Sequence, residues 1–142
     1  MELDKLRVIN EVMTPLPQTV DKGDLLGLAQ SLMETHHIRH LPVLDGETLF
    51  GLISDRDIKL ARFVGEKFVP GQELVVGDVC NREPYTVAPG TELDEVTLHM
   101  AEKRIGSALV VEDNKVIGVF TATDALRWVG TYIRSQKVAE GN

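Results

Sequence analysis

Shifted by 67 positions, the sequence falls onto itself without a gap, and no other feature limits the fold as strongly. Val8 meets Val75, Val12 meets Val79, Pro17 meets Pro84, and Thr19-Val20 meet Thr86-Val87. Further on, Gly23 meets Gly90, Met33 meets Met100, Ile38 meets Ile105, Gly51 meets Gly118, and Asp57 meets Asp124. A constant offset held along a whole segment implies duplication of one supersecondary unit. Each copy is too short to bury much core alone, so the two are expected to pack together with pseudo-two-fold symmetry.

Residue patterns predict the same element order in each copy. Pro17 and Pro84 cannot continue a helix, and the β-prone pairs Thr19-Val20 and Thr86-Val87 follow them. Gly23 and Gly90 supply turns ahead of a helical stripe. That stripe is Leu25, Leu26, Leu28, Ala29, Leu32 and Met33 in the first copy, and Leu93, Val96, Met100 and Ala101 in the second. Two apolar strands come next, Leu41 to Leu44 and Leu49 to Ile53, with Asp45-Gly46 as the turn between them. Their counterparts are Ala108 to Val111 and Val116 to Phe120, around Glu112-Asp113-Asn114. A second helix, opening near Asp57 or Asp124, closes each copy. The fold class is therefore α/β (α+β), with two β-α-β-β-α repeats. The expected boundaries are 1–64 for the first repeat, 65–74 for a linker containing Pro70-Gly71, 75–130 for the second repeat, and 131–142 for a helical tail.

Charge and composition narrow the partners. A net charge of −7 repels phosphate backbones and anionic bilayers alike, which disfavours nucleic acid and membrane as partners. No apolar run is long enough to span a bilayer, and no signal pattern opens the chain. One cysteine, Cys80, excludes an intrachain disulfide framework. A cytoplasmic protein is the expectation.

The chemistry concentrates where a strand runs into a helix. Ser54-x-x-Asp57 and Thr121-x-x-Asp124 stand at matched places in the two copies. A helix start offers unpaired amides and a positive dipole end to a phosphate, and the hydroxyl adds a donor. The carboxylate can accept from both hydroxyls of a ribose, and Gly51 or Gly118 allows close backbone approach. The same spacing is also a capping box, in which the acid reaches back to the cap amide. Both readings stand at this point, and the ligand-binding one fails if Asp57 and Asp124 are both sealed inside or turned from any groove between the repeats. Arg39, Arg56, Lys103 and Arg104 are the basic residues placed to neutralise a phosphate. His36, His37 and His40 form the one metal-like cluster. They do not reach the four ligands of a zinc site, and no metal is expected. There is no phosphate-binding P-loop, nucleophile elbow or Cys/His pair, so no enzyme activity is expected.

This layout resembles the cystathionine β-synthase (CBS) domain pair. The match is carried by E-V-M-T-P at Glu11 to Pro15, P-Q-T-V at Pro17 to Val20, I-R-H-L-P-V at Ile38 to Val43, and G-L-I-S-D-R-D at Gly51 to Asp57. The second copy answers with G-V-F-T-A-T-D at Gly118 to Asp124. It departs from the pattern at Asp78 to Pro84 and at Ile105 to Val111, which makes the two sites unequal. The resemblance implies a stand-alone regulatory module that binds an adenosyl ligand in the cleft between the repeats. The ligand would be AMP, ADP or ATP, with S-adenosylmethionine or NAD as alternatives, and there would be no obligatory cofactor. It also implies a homodimer and a regulated partner protein of unknown identity. By family position the first site would take Thr14, Thr19, Val20, His40, Leu41 and Pro42 beside Ser54, Arg56 and Asp57, with Arg39 near the phosphates. The second would take Thr86, Val87, Ser107 and Ala108 beside Thr121, Thr123 and Asp124. Val20, Leu41 and Val87 read as strand core first and pocket wall second. A pure interaction scaffold that has kept the fold without a ligand is the competing reading.

Overall fold

The structure, a computed structural model, describes residues 8–15, 17–68 and 73–141. The chain divides into two compact units, one around each copy. The first-copy unit takes Pro17–Pro84 together with Asp113–Val116. The second-copy unit takes residues 8–15, Tyr85–Glu112 and the chain from Ile117 onward. The opening segment of the first copy is thus built into the second-copy unit, which residue pairing at the 67 offset did not predict.

In the first-copy unit, β2 (Val20–Asp21) lies parallel to β3 (His40–Asp45), and β3 pairs antiparallel with β4 (Thr48–Ser54). Helix α1 (Leu26–His36) precedes β3. Helix α2 (Asp55–Phe68) follows β4 and runs through Gly65, and the short α3 (Val76–Val79) comes after it. Val20, Leu26, Ala29, Met33, Leu41, Val43, Ile53, Ile58 and Val76 make the core. Leu26, Ala29 and Met33 recur at helical spacing, which is why α1 buries that stripe.

The second-copy unit carries a four-stranded sheet ordered β1-β7-β6-β5. Its strands are β1 (Thr14–Pro15), β5 (Thr86–Val87), β6 (Ser107–Glu112) and β7 (Lys115–Thr121), with α4 (Leu93–Lys103) and α5 (Ala122–Glu140). β1 joins β7 antiparallel through Thr14 opposite Val119 and Pro15 opposite Gly118. A 3-10 turn at Ile9–Glu11 places Ile9, wholly buried, among Leu93, Val96, Met100, Ala108, Val110 and Phe120.

Local details correct the sequence reading in three places. Asp45 belongs to β3 and pairs with Thr48, so the first hairpin turns through Gly46-Glu47 rather than Asp45-Gly46, with Gly46 at φ +64°. The second hairpin turns through Asp113 and Asn114, both left-handed at φ 53° and 64°, the combination a type I′ turn requires. The first-copy outer strand is Val20–Asp21, and Thr19 lies just outside it.

Helix α1 stops at His36 because His37 turns left-handed (φ 53°) and the Ile38 amide donates back to the Met33 carbonyl at 3.0 Å. Arg104 and Ile105 end α4 in the same way, with Ile105 donating to Met100 at 3.0 Å. No described helix is long and apolar enough to cross a membrane.

Candidate functional site: two capped strand-to-helix junctions

Each copy ends its β-hairpin in a helix whose first turn is closed by a capping box. In the first copy the Ser54 amide donates to Asp57 Oδ2 at 2.9 Å, and the Asp57 amide donates to Ser54 Oγ at 3.1 Å. In the second, the Thr121 amide donates to Asp124 Oδ2 at 2.9 Å and the Asp124 amide to Thr121 Oγ1 at 3.2 Å. The Thr121 hydroxyl also donates to Asp124 Oδ2 at 3.1 Å. The capping reading of Ser/Thr-x-x-Asp therefore holds in both copies. Neither carboxylate is sealed inside: Asp57 and Asp124 are both half-buried, and the Asp124 side chain is 15% exposed.

The loop before each hairpin steers these junctions. The Asp55 amide donates to the Arg39 carbonyl and the Ala122 amide to the Gly106 carbonyl, both at 2.9 Å. Each helix start is thus tied to the chain that leaves the preceding helix. His40 sits directly opposite Ser54 in the β3–β4 register, so its imidazole feels the Asp57 charge. Burial pulls the His40 pKa below its ordinary value; Asp57 opposes this and Arg39 adds to it. At the matched position of the second copy stands Ser107, a buried polar residue.

The other predicted residues separate by burial. Leu41, Pro42 and Val20 are buried, and Leu41 and Val20 belong to the first-copy core. Ala108 is buried and Val87 partly so, both against the second-copy core. Thr19 is half-buried, while Arg39, Arg56, Thr86 and Thr123 are exposed. Lys103 and Arg104 are exposed at the end of α4, where they also complement its negative dipole end. Thr14 belongs to the second-copy unit. It lies on β1, paired with β7 of the second-copy unit, because the segment before Pro17 is exchanged into that unit.

Gly51 and Gly118 also need a different account from ligand approach. A Cβ on Gly51 would fall 2.5 Å from the Asn81 carbonyl oxygen and 2.9 Å from Cys80 Sγ, and one on Gly118 would collide with the Met13 thioether. These glycines make room for the segment that precedes each repeat's partner. Cys80 there is partly buried, and its thiol pKa is pushed up chiefly by burial.

Two further features were not anticipated. Arg127 Nη1 donates to Asp124 Oδ1 at 3.3 Å, an acid–arginine pair three residues apart that the spacing itself would have revealed. A groove of about 700 Å³ opens between α4 and α5, walled by Leu93, Met100, Ala101, Leu126, Trp128 and Val129. Neither Thr121 nor Asp124 lines it. Among the described residues no group of three or more His, Cys, Asp or Glu is placed to hold a metal ion.

A duplicated β-α-β-β-α half-domain with a capped acid at each strand-to-helix junction defines a tandem-repeat class, and comparison with known proteins names it. The CBS domain family matches twice, at residues 9–63 and 76–131, and the chain belongs to that family. It is 32% identical over 118 residues to an inosine-5'-monophosphate dehydrogenase of Korarchaeum cryptofilum. That match spans 82% of this chain but only 22% of the dehydrogenase. Among solved structures, the Vibrio cholerae protein AcuB superposes with a TM-score of 0.83 at 27% identity, covering 92% of this chain and 96% of that one. CBSX2 in complex with AMP gives 0.76 at 26%, covering 89% and 98%. The CBS domain pair of MJ0100, in complex with 5'-methylthioadenosine and S-adenosyl-L-methionine, gives 0.77 at 25%, covering 87% and 96%.

Proposed function

We propose that this protein is a regulatory, non-catalytic module that senses an adenosine nucleotide of the AMP, ADP or ATP class at its two strand-to-helix junctions. The observation that carries the reading is the pair of half-buried carboxylates at Asp57 and Asp124, each fixed on the first turn of a helix beside a hydroxyl. A ribose diol can be accepted by such a carboxylate, and a phosphate by the helix-start amides with Ser54 or Thr121. His40, Leu41, Pro42, Thr19, Val20, Arg39 and Arg56 would surround the first junction. Ser107, Ala108, Thr86, Val87, Thr123 and Thr14 would surround the second. The related protein CBSX2 carries AMP and the MJ0100 pair carries S-adenosyl-L-methionine, which supports an adenosyl ligand and keeps S-adenosylmethionine, with NAD, as the alternative.

The capping boxes do not oppose this reading. An N-cap interaction is worth about 1 kcal/mol, small beside the free energy of micromolar binding, so a ligand can replace it. They do favour one competing account, a scaffold that keeps Asp57 and Asp124 for caps alone. Self-association is part of the proposal, because α4 and α5 leave the apolar side chains of Leu98, Leu126 and Ile133 exposed.

A melting-temperature panel with AMP, ADP, ATP, NAD and S-adenosylmethionine tests the function. A ligand at 100 times its Kd stabilises by about 2.7 kcal/mol, which moves the midpoint by several degrees. No shift with any of the five would leave the scaffold account standing.

A further inference from the structure

We infer that the two junctions are unequal nucleoside sites, and that Arg127 sets the difference by occupying the Asp124 oxygen a ribose diol needs. This rests on the nucleotide reading and adds which site is stronger and which residue decides it. In the second copy both carboxylate oxygens are engaged. Oδ2 accepts from the Thr121 amide and hydroxyl at 2.9 and 3.1 Å, and Oδ1 accepts from Arg127 at 3.3 Å. A diol that binds both oxygens must displace the guanidinium first.

Among the described residues the first copy lacks that competitor. The residue matching Arg127 at the 67 offset is Leu60, 62% exposed and without a donor. The nearby Lys59 is directed to Asp55 at 2.9 Å instead. Ser54 donates to Asp57 through its amide, on Oδ2. His40 and Cys80 both feel the Asp57 charge, and burial favours the neutral form of each. Asp124 thus meets a cation through Oδ1, and the position that supplies it in the second copy carries an alkyl side chain in the first.

The Arg127 side chain is 69% exposed, so its pairing is weak and the effect is correspondingly small. Exposed ion pairs couple by about 0.2–1 kcal/mol, which corresponds to a change in affinity of roughly 1.4- to five-fold.

Calorimetric titration with adenosine, which has no phosphate to attract Arg127, isolates the diol, and AMP serves as the reference. Asp124→Ala reports the first site and Asp57→Ala the second. Adenosine is expected to bind Asp124→Ala more tightly than Asp57→Ala. Adding Arg127→Leu to Asp57→Ala should tighten adenosine about 1.4- to five-fold. Raising salt should also tighten the second site but not the first, because it screens the ion pair. If Asp57→Ala fails to fold, the weaker of the two binding steps in Arg127→Leu alone gives the same comparison. Unchanged or weaker adenosine binding on Arg127→Leu overturns the inference while leaving the nucleotide reading intact. AMP binding without adenosine binding also overturns it, since the phosphate would then carry recognition. If neither ligand binds the unaltered protein, the nucleotide reading falls and the inference with it.

Discussion

Asp57 and Asp124 each serve a helix cap through one oxygen, and the same residue types would serve a ribose. The dual use was legible from Ser54-x-x-Asp57 and Thr121-x-x-Asp124, but spacing alone could not say whether the caps form. They do form, and alanine at either aspartate should lower stability by about 1 kcal/mol in denaturant unfolding. Losses well beyond that would mean the carboxylates do structural work that no hydrogen bond described here explains. His40 gives a second prediction at this scale. Its pKa in the folded protein lies below the ordinary value, so below about 6.5 the unfolded chain takes up the proton more readily. Stability should therefore fall on acidification through the region below about pH 6.5. His40→Ser, which copies Ser107, should flatten that slope when unfolding midpoints are compared at neutral and mildly acidic pH. An unaltered slope would place the titration elsewhere.

At the scale of elements, hydrophobic period and turn residues located both hairpins and all four long helices, because those signals are local. Most ends shifted by a residue or two for equally local reasons, while α2 runs to Phe68, four residues past the expected end of the first repeat. Asp45 pairs across to Thr48 and pushes the turn onto Gly46-Glu47, and left-handed His37 and Arg104 end α1 and α4 without a glycine. Gly51 and Gly118 were misread because their reason is not local. Each faces a segment distant in sequence, Cys80-Asn81 in one case and Met13 in the other. The two sites differ in what would have to yield. Gly51→Ala drives a Cβ against a backbone carbonyl, whereas Gly118→Ala meets a flexible methionine side chain. Gly51→Ala should destabilise by about 1–3 kcal/mol and Gly118→Ala by less, measured as a shift in denaturant midpoint. The reverse order would contradict the packing described.

For the whole molecule, the 67-residue repeat revealed the duplication but not the exchange of the opening segment. A repeat pattern compares each copy with the other and carries no information on which copy's core receives a flanking segment. Ile9 shows the consequence: it belongs to the opening of the first copy yet is buried with Phe120 and Val110 of the second. Ile9→Ala should therefore cost about 2–5 kcal/mol and weaken ligand binding at Asp124 rather than at Asp57. A stability loss felt equally at both junctions would argue against that assignment.

The central claim is that adenosine nucleotides are held at two matched helix starts. Calorimetric titration of AMP into the unaltered protein, Asp57→Ala and Asp124→Ala tests it most directly. The account predicts that each variant stays folded and loses the binding step of its own junction while keeping the other. Identical AMP isotherms for all three proteins would contradict it.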